Sequence, residues 1–213
     1  MFPDPSSSPA HHTRSLSIRC LPAVTATSPN VDVTSWVRTF RNVMHLHYIS
    51  KMYERLTWAD QEAPLAPFYG FSHTIKSLRL SSTSFEVFDL VCSFPLLEDL
   101  ALISLRSERG TFGWSAPSTS PKLTGSLDIG VVGGIHSATR RLLDFPDGLP
   151  FAKITVSCLG DDLGSASDLV SRCSDTLESL AVYNIILSVS TSTFPIDRYL
   201  TAARGHRNDG VST

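Results

Sequence analysis

The sequence predicts an α/β fold, a right-handed, curved solenoid of irregular repeats. Two observations predict it: one short apolar spacing recurs along the chain, and segments of helical periodicity lie between its copies. The spacing is plainest in "FPLLEDLALISL", where Leu97, Leu100 and Leu102 stand three and then two residues apart. A helical face needs steps of three and four, and a half-buried strand needs alternation throughout. The spacing fits neither alone.

Taken in order, the copies are "TRSLSIRC" (Leu16, Ile18), "VMHLHYIS" (Val43, Leu46, Tyr48), "IKSLRLSS" (Ile75, Leu78, Leu80) and the stretch above. They continue with "KLTGSLDI" (Leu123, Leu127, Ile129), which is one residue longer, "AKITVSC" (Ile154, Val156, Cys158) and "TLESLAVY" (Leu177, Leu180, Val182). These seven copies lie 22 to 32 residues apart. The pattern L-x-x-L-x-L with a period of about 20–29 residues is that of a leucine-rich repeat. Its last two apolar residues lie on a short strand, and the first closes the turn leading into it. One copy cannot bury its own apolar face, so stacked copies are expected to share a core and a parallel ladder.

Between the copies, "TSFEVFDLVCSF" places Phe85, Phe88 and Val91 on one helical face, with Thr83 and Glu86 at capping-box spacing. "IHSATRRLLDF" does the same with Ile135, Ala138 and Leu142, and "VTSWVRTF" offers Trp36, Val37 and Phe40. "SASDLVSRCS" opens on Ser165 and Asp168 at the same box spacing before Leu169, Val170 and Cys173. Strands alternating with short helices predict right-handed connections. The period wanders, and "SKMYERLTWADQEAPLAPFYGF" is a long insertion between the second and third copies. The expected organisation is a flexible leader over 1–10, the repeat array over 11–187, and a C-terminal tail over 188–213 with a short helix followed by disorder.

Composition narrows the function. A formal net charge of −2 supplies no global field for nucleic acid or an acidic membrane surface. Cys20, Cys92, Cys158 and Cys173 form no C-x-x-C pair, so neither a zinc site nor a disulfide framework is indicated. Cysteines among apolar neighbours behave as small hydrophobes and suit a reducing compartment. The start "MFPDPSSSPAHHTRS" lacks a basic and apolar signal, and the uncharged run from Ser179 to Ile196 is too polar to span a bilayer. The expected location is intracellular, cytoplasmic or nuclear.

Motifs that could carry catalysis or bind a cofactor are weak. His45 and His47 in "HLH" share one side of a strand but have no nearby carboxylate or thiolate, so they read as surface histidines. His11 and His12 read as part of a solvated leader. "GVVGG" (Gly130 to Gly134) lacks the lysine of a phosphate loop and reads as a strand-to-helix turn. "GDDLGSASD" does not alternate oxygen ligands as a calcium loop does and reads as a helix-capping turn. No nucleophile elbow is present. The expectation is no enzyme, no cofactor and no metal.

The stretches "HTRSLSIRCLP", "WVRTFRNVMHL", "PFYGFSHTIKSLRLSSTSFEVFDLVCSFPLLEDLAL", "PKLTGSLDIG", "RRLLDFPDGLPFAKITV" and "DLVSRCSDTLESL" resemble basidiomycete fungal F-box/leucine-rich-repeat-like proteins over roughly residues 10 to 187. "FPLLEDL" and "CSDTLESL" are the most specific parts. The resemblance implies a non-catalytic protein-binding module, the substrate-recognition part of an F-box-type ubiquitin-ligase receptor. It would have an unknown protein partner and an indirect link to a cullin-type ligase. The family's F-box precedes its repeats. Here about ten residues precede the first copy and Leu21-Pro22 follows it, so no F-box residues carry over. The alternatives are a stand-alone scaffolding protein or a truncated, non-functional paralogue.

Residues between the inward leucines should face the concave side. One column is Ser17, His47, Arg79, Ala101, Asp128, Thr155 and Ala181; the next is Arg19, Ile49, Ser81, Ile103, Gly130, Ser157 and Tyr183. From these, Arg19, His47, Arg79, Ile103, Asp128 and Tyr183 are the candidate partner-binding residues. The first strands are basic, and the middle turns apolar and then weakly acidic.

Overall fold

A computed structural model describes residues 8–20, 37–50, 66–81, 87–104, 119–130, 135–158 and 163–184. In chain order the elements are α1 (Pro9–His12), β1 (Ser15–Cys20), β2 (His45–Ser50), a 3-10 helix (Ala66–Phe71) and β3 (Ser77–Ser81). They continue with α2 (Val87–Cys92), β4 (Asp99–Ile103), β5 (Ser126–Gly130), α3 (Ile135–Leu143), β6 (Lys153–Cys158), α4 (Leu163–Arg172) and β7 (Ser179–Asn184). All seven strands pair in parallel, each with its neighbour in sequence.

The α/β class stands, and the expected solenoid is corrected. The described residues form one seven-stranded, all-parallel sheet in the order β1 to β7, with few helices. The physical reason lies in the connections. The recurring spacing specifies a strand and the turn before it, and leaves each return path unspecified. One return carries the 3-10 helix, and others carry α-helices of six, nine and ten residues.

The strands form where the copies were read. Leu16, Leu46, Leu78, Leu100, Leu127, Ile154 and Leu180 share one lateral column; Ile18, Tyr48, Leu80, Leu102, Ile129, Val156 and Val182 share the next. A one-residue slip would turn every one of these side chains outward, so burial of one face fixes the register. From β1 to β6 both columns are buried. At β7, Leu180 and Val182 are 46% and 43% exposed. The preceding turns add Val43, Ile75, Leu97, Leu123 and Phe151, all buried. In "FAKITVSC" it is therefore Phe151 that closes the turn, and Ile154 and Val156 are the strand pair. Aromatic bulk substitutes for leucine there.

Helices pack on this inward face. Val87, Phe88, Leu90 and Val91 of α2, Ala138 and Leu142 of α3, and Ala166 and Leu169 of α4 join the same core. Phe88 and Val91 match the expected face, whereas Thr83, Phe85, Glu86, Trp36 and most of "GVVGG" lie outside the described residues. Helix α4 starts at Leu163, so Ser165 lies inside it and is no cap; its Oγ sits 3.0 Å from His136 Nδ1 on α3. The Arg141 guanidinium lies 5.8 Å from the Phe88 ring centroid and ties α3 to α2. Tyr48 meets Phe68 edge-on at 5.6 Å, which seats the 3-10 helix beneath β2.

Candidate functional site

The opposite face of the sheet carries side chains and, among the described residues, no packed helix. All-parallel sheets are ordinarily covered on both faces because their crossovers put helices there. Its outward residues fall into the two expected columns: Ser17, His47, Arg79, Ala101, Asp128, Thr155 and Ala181 pair across the strands in one. Arg19, Ile49, Ser81, Ile103, Gly130, Ser157 and Tyr183 pair in the other.

This register brings together three of the six candidate residues. Arg79 on β3 is directly beside His47 on β2, and Arg19 on β1 lies diagonally across from it. With parallel strands about 4.8 Å apart, the three span about 10 Å of the face. Desolvation holds the His47 imidazole below its ordinary pKa, and the charges of Arg79 and then Arg19 push the same way. Both arginines therefore act electrostatically on this ring. Its Nε2 is shut off from solvent and makes no hydrogen bond. His47 is not the plain surface histidine expected from "HLH", although His45 is exposed. Among the described residues, no three His, Cys, Asp or Glu side chains are placed to hold a metal ion.

Asp128 and Tyr183 lie apart from that group, on β5 and β7. Asp128 is half-buried and Tyr183 is 50% exposed. Ile103 departs from its expected exposure: it is buried, at 6%. Its lateral neighbour Gly130 has no side chain, and Ile103 fills that space, its Cδ1 3.2 Å from where a Cβ on Gly130 would stand. Alternation along β4 does not reveal this, because the cause is a glycine one strand away.

No sequence motif marks Asp99. Its Oδ1 accepts hydrogen bonds from the Ser126 backbone N–H and hydroxyl, both at 2.7 Å. That carboxylate is engaged in holding β4 to β5, so the face's acidity near its middle rests on Asp128. His11 and His12 belong to the turn α1, where Asn42 Nδ2 donates to the His11 carbonyl at 2.6 Å. Among the described residues no helix is long and apolar enough to cross a membrane.

The surface as arranged offers cations at one end, an acid near its middle and an exposed tyrosine at the other end. It presents hydrogen-bond donors across seven strands. Set against family models, curated proteins and solved structures, the chain matches none of them.

Proposed function

We propose that the chain is a non-catalytic protein-binding module and that the open face of the sheet is its binding surface. The observation that carries this reading is a face of an all-parallel sheet on which, among the described residues, no helix packs, with Arg19, His47 and Arg79 gathered at one end. Six inter-strand steps of about 4.8 Å give the face a width of about 29 Å, a scale suited to another protein. Complementary charge would set the orientation of that partner more than its affinity. An acidic region would sit over β1 to β3, and an apolar or aromatic contact over Tyr183.

The resemblance to F-box/leucine-rich-repeat-like proteins supports a partner that is a ubiquitin-ligase substrate. A scaffolding role without ligase connection uses the same surface. Affinity purification with in-cell crosslinking tests both. A partner crosslinked to the open face should be lost with Arg79→Glu and kept with Arg140→Glu, a change to an exposed residue on α3. Co-recovery of a cullin adaptor favours the ligase role, and its absence favours the scaffold. A partner lost equally with both variants removes the face as the binding surface.

A further inference from the structure

A second feature lies at the leading ends of β1 to β4, off the open face. Here Arg14, Met44, Lys76 and Glu98 stand side by side, each linked to the next by backbone hydrogen bonds. Met44 N–H donates to the Arg14 carbonyl at 2.8 Å, Lys76 N–H to the Met44 carbonyl at 2.8 Å, and Glu98 N–H to the Lys76 carbonyl at 2.8 Å. Beside this ladder is a groove of about 690 Å³, and nine residues line it, among them His11, His12, Arg14, His73 and Lys76. Five of those nine residues are histidine, arginine or lysine, and none is a carboxylate.

The backbone positions that carry the charges are held at a fixed spacing. Arg14 and Lys76 are two ladder steps apart, about 10 Å at the usual strand separation. Lys76 is paired with Glu98 at 3.0 Å in a half-buried ion pair, a kind of pair whose strength is modest when water reaches it. Among the described residues Arg14 has no carboxylate partner. The imidazoles of His11, His12 and His73 are not grouped as metal ligands. They add hydrogen-bonding groups to a cationic rim, while Met44 and Leu96 supply apolar lining.

We propose that this groove binds a phosphoryl group carried on an organic moiety. A phosphate monoester has three outer oxygens and about two negative charges, which match a guanidinium and an ammonium better than a single carboxylate does. The volume falls within the range of small-ligand sites, and the apolar lining takes the organic part. The phosphoryl group comes either from a free organic phosphate or from a phosphorylated side chain of a partner.

Calorimetric titration of the full chain with phenyl phosphate, a phosphoserine hexapeptide and benzoate tests this. Saturable one-to-one binding of at least one phosphate probe is expected, with benzoate at least tenfold weaker. The double variant Arg14→Gln/Lys76→Gln should lose tenfold or more, and Arg140→Gln, at an exposed position on α3, should lose less than twofold. The tighter phosphate probe identifies the source. Imidazole NMR signals of the unaltered chain give a check that survives a poorly folded variant: those of His11, His12 or His73 should shift on titration, and that of His47 should not. No saturable binding of either phosphate, equal binding of benzoate, or shifts confined to His47 would overturn the proposal.

Discussion

Asp99 and Ser126 are joined twice across β4 and β5, by the Ser126 backbone N–H and by its hydroxyl, both reaching one carboxylate oxygen at 2.7 Å. These two hydrogen bonds lie beside the extra residue in "KLTGSLDI". Leu123 turns into the left-handed region at φ 46°, and Gly125 passes so close to Asp99 that an added Cβ would strike the carboxylate. Gly125→Ala should therefore destabilise the fold by about 1–3 kcal/mol, the usual cost of overpacking. In an Asp99→Ala background the same change should cost less, since neighbouring sites couple. Urea unfolding of the four proteins of the cycle measures this, and additive costs would contradict the contact.

Ile103 and Arg79 each alternate with inward leucines of their own strand, yet they should respond differently to truncation. Ile103→Ala removes a buried side chain, and a loss of about 2 kcal/mol or more is expected. Arg79→Ala, at a half-buried position with no described ion pair, should cost less than about 1 kcal/mol. Thermal or urea unfolding distinguishes the two.

Leu100 and Leu180 occupy the same inward column but differ in cover, at 1% and 46% exposure. Leu100→Ala should cost about 2–5 kcal/mol. Leu180→Ala should cost less than half as much, because much of the side chain is already in water. Equal costs in urea unfolding would mean that β7 is covered in solution.

His47 has a lowered pKa in the fold, so the unfolded chain binds its proton first as pH falls. Stability linked to this ring should be intact above its ordinary value of 6.5 and should decline as pH drops below it towards the lowered folded value. His47→Gln should flatten that part of the stability profile. Arg79→Gln should raise the ring's pKa by removing one of its causes, which NMR titration reads directly. An acidic partner over Arg19, His47 and Arg79 would favour the protonated ring, so binding should tighten as pH falls through this window.

Cys92 is half-buried, and burial followed by the Asp89 charge pushes its thiol up to about 12. Burial raises the Cys173 thiol as well. Neither is a ready thiolate at pH 8, so peptide mapping after iodoacetamide should find both slowly modified in the native chain and quickly modified in urea. Because the folded pKa is raised, the unfolded state releases these protons first. Stability should be lost as pH climbs above the ordinary value of 9.0.

Much of the fold is legible in the sequence. The alternation of Leu78 with Leu80 and of Leu100 with Leu102 fixes which residues turn inward, because that choice depends only on period and burial. Equal registers in successive strands then fix the outward columns, including the meeting of Arg79 with His47. The tertiary structure decided what passes between strands. Whether the copies close into equivalent coils depends on the return paths, and helices of unequal length leave a single parallel sheet. Ile103 is buried by the absence of a side chain at Gly130, and Asp99 is engaged by Ser126, 27 positions further on. His11, Arg14, His73 and Lys76 meet only because backbone ladders join segments that are remote in sequence. Periodicity is local and can be read along the chain, whereas these contacts run across it.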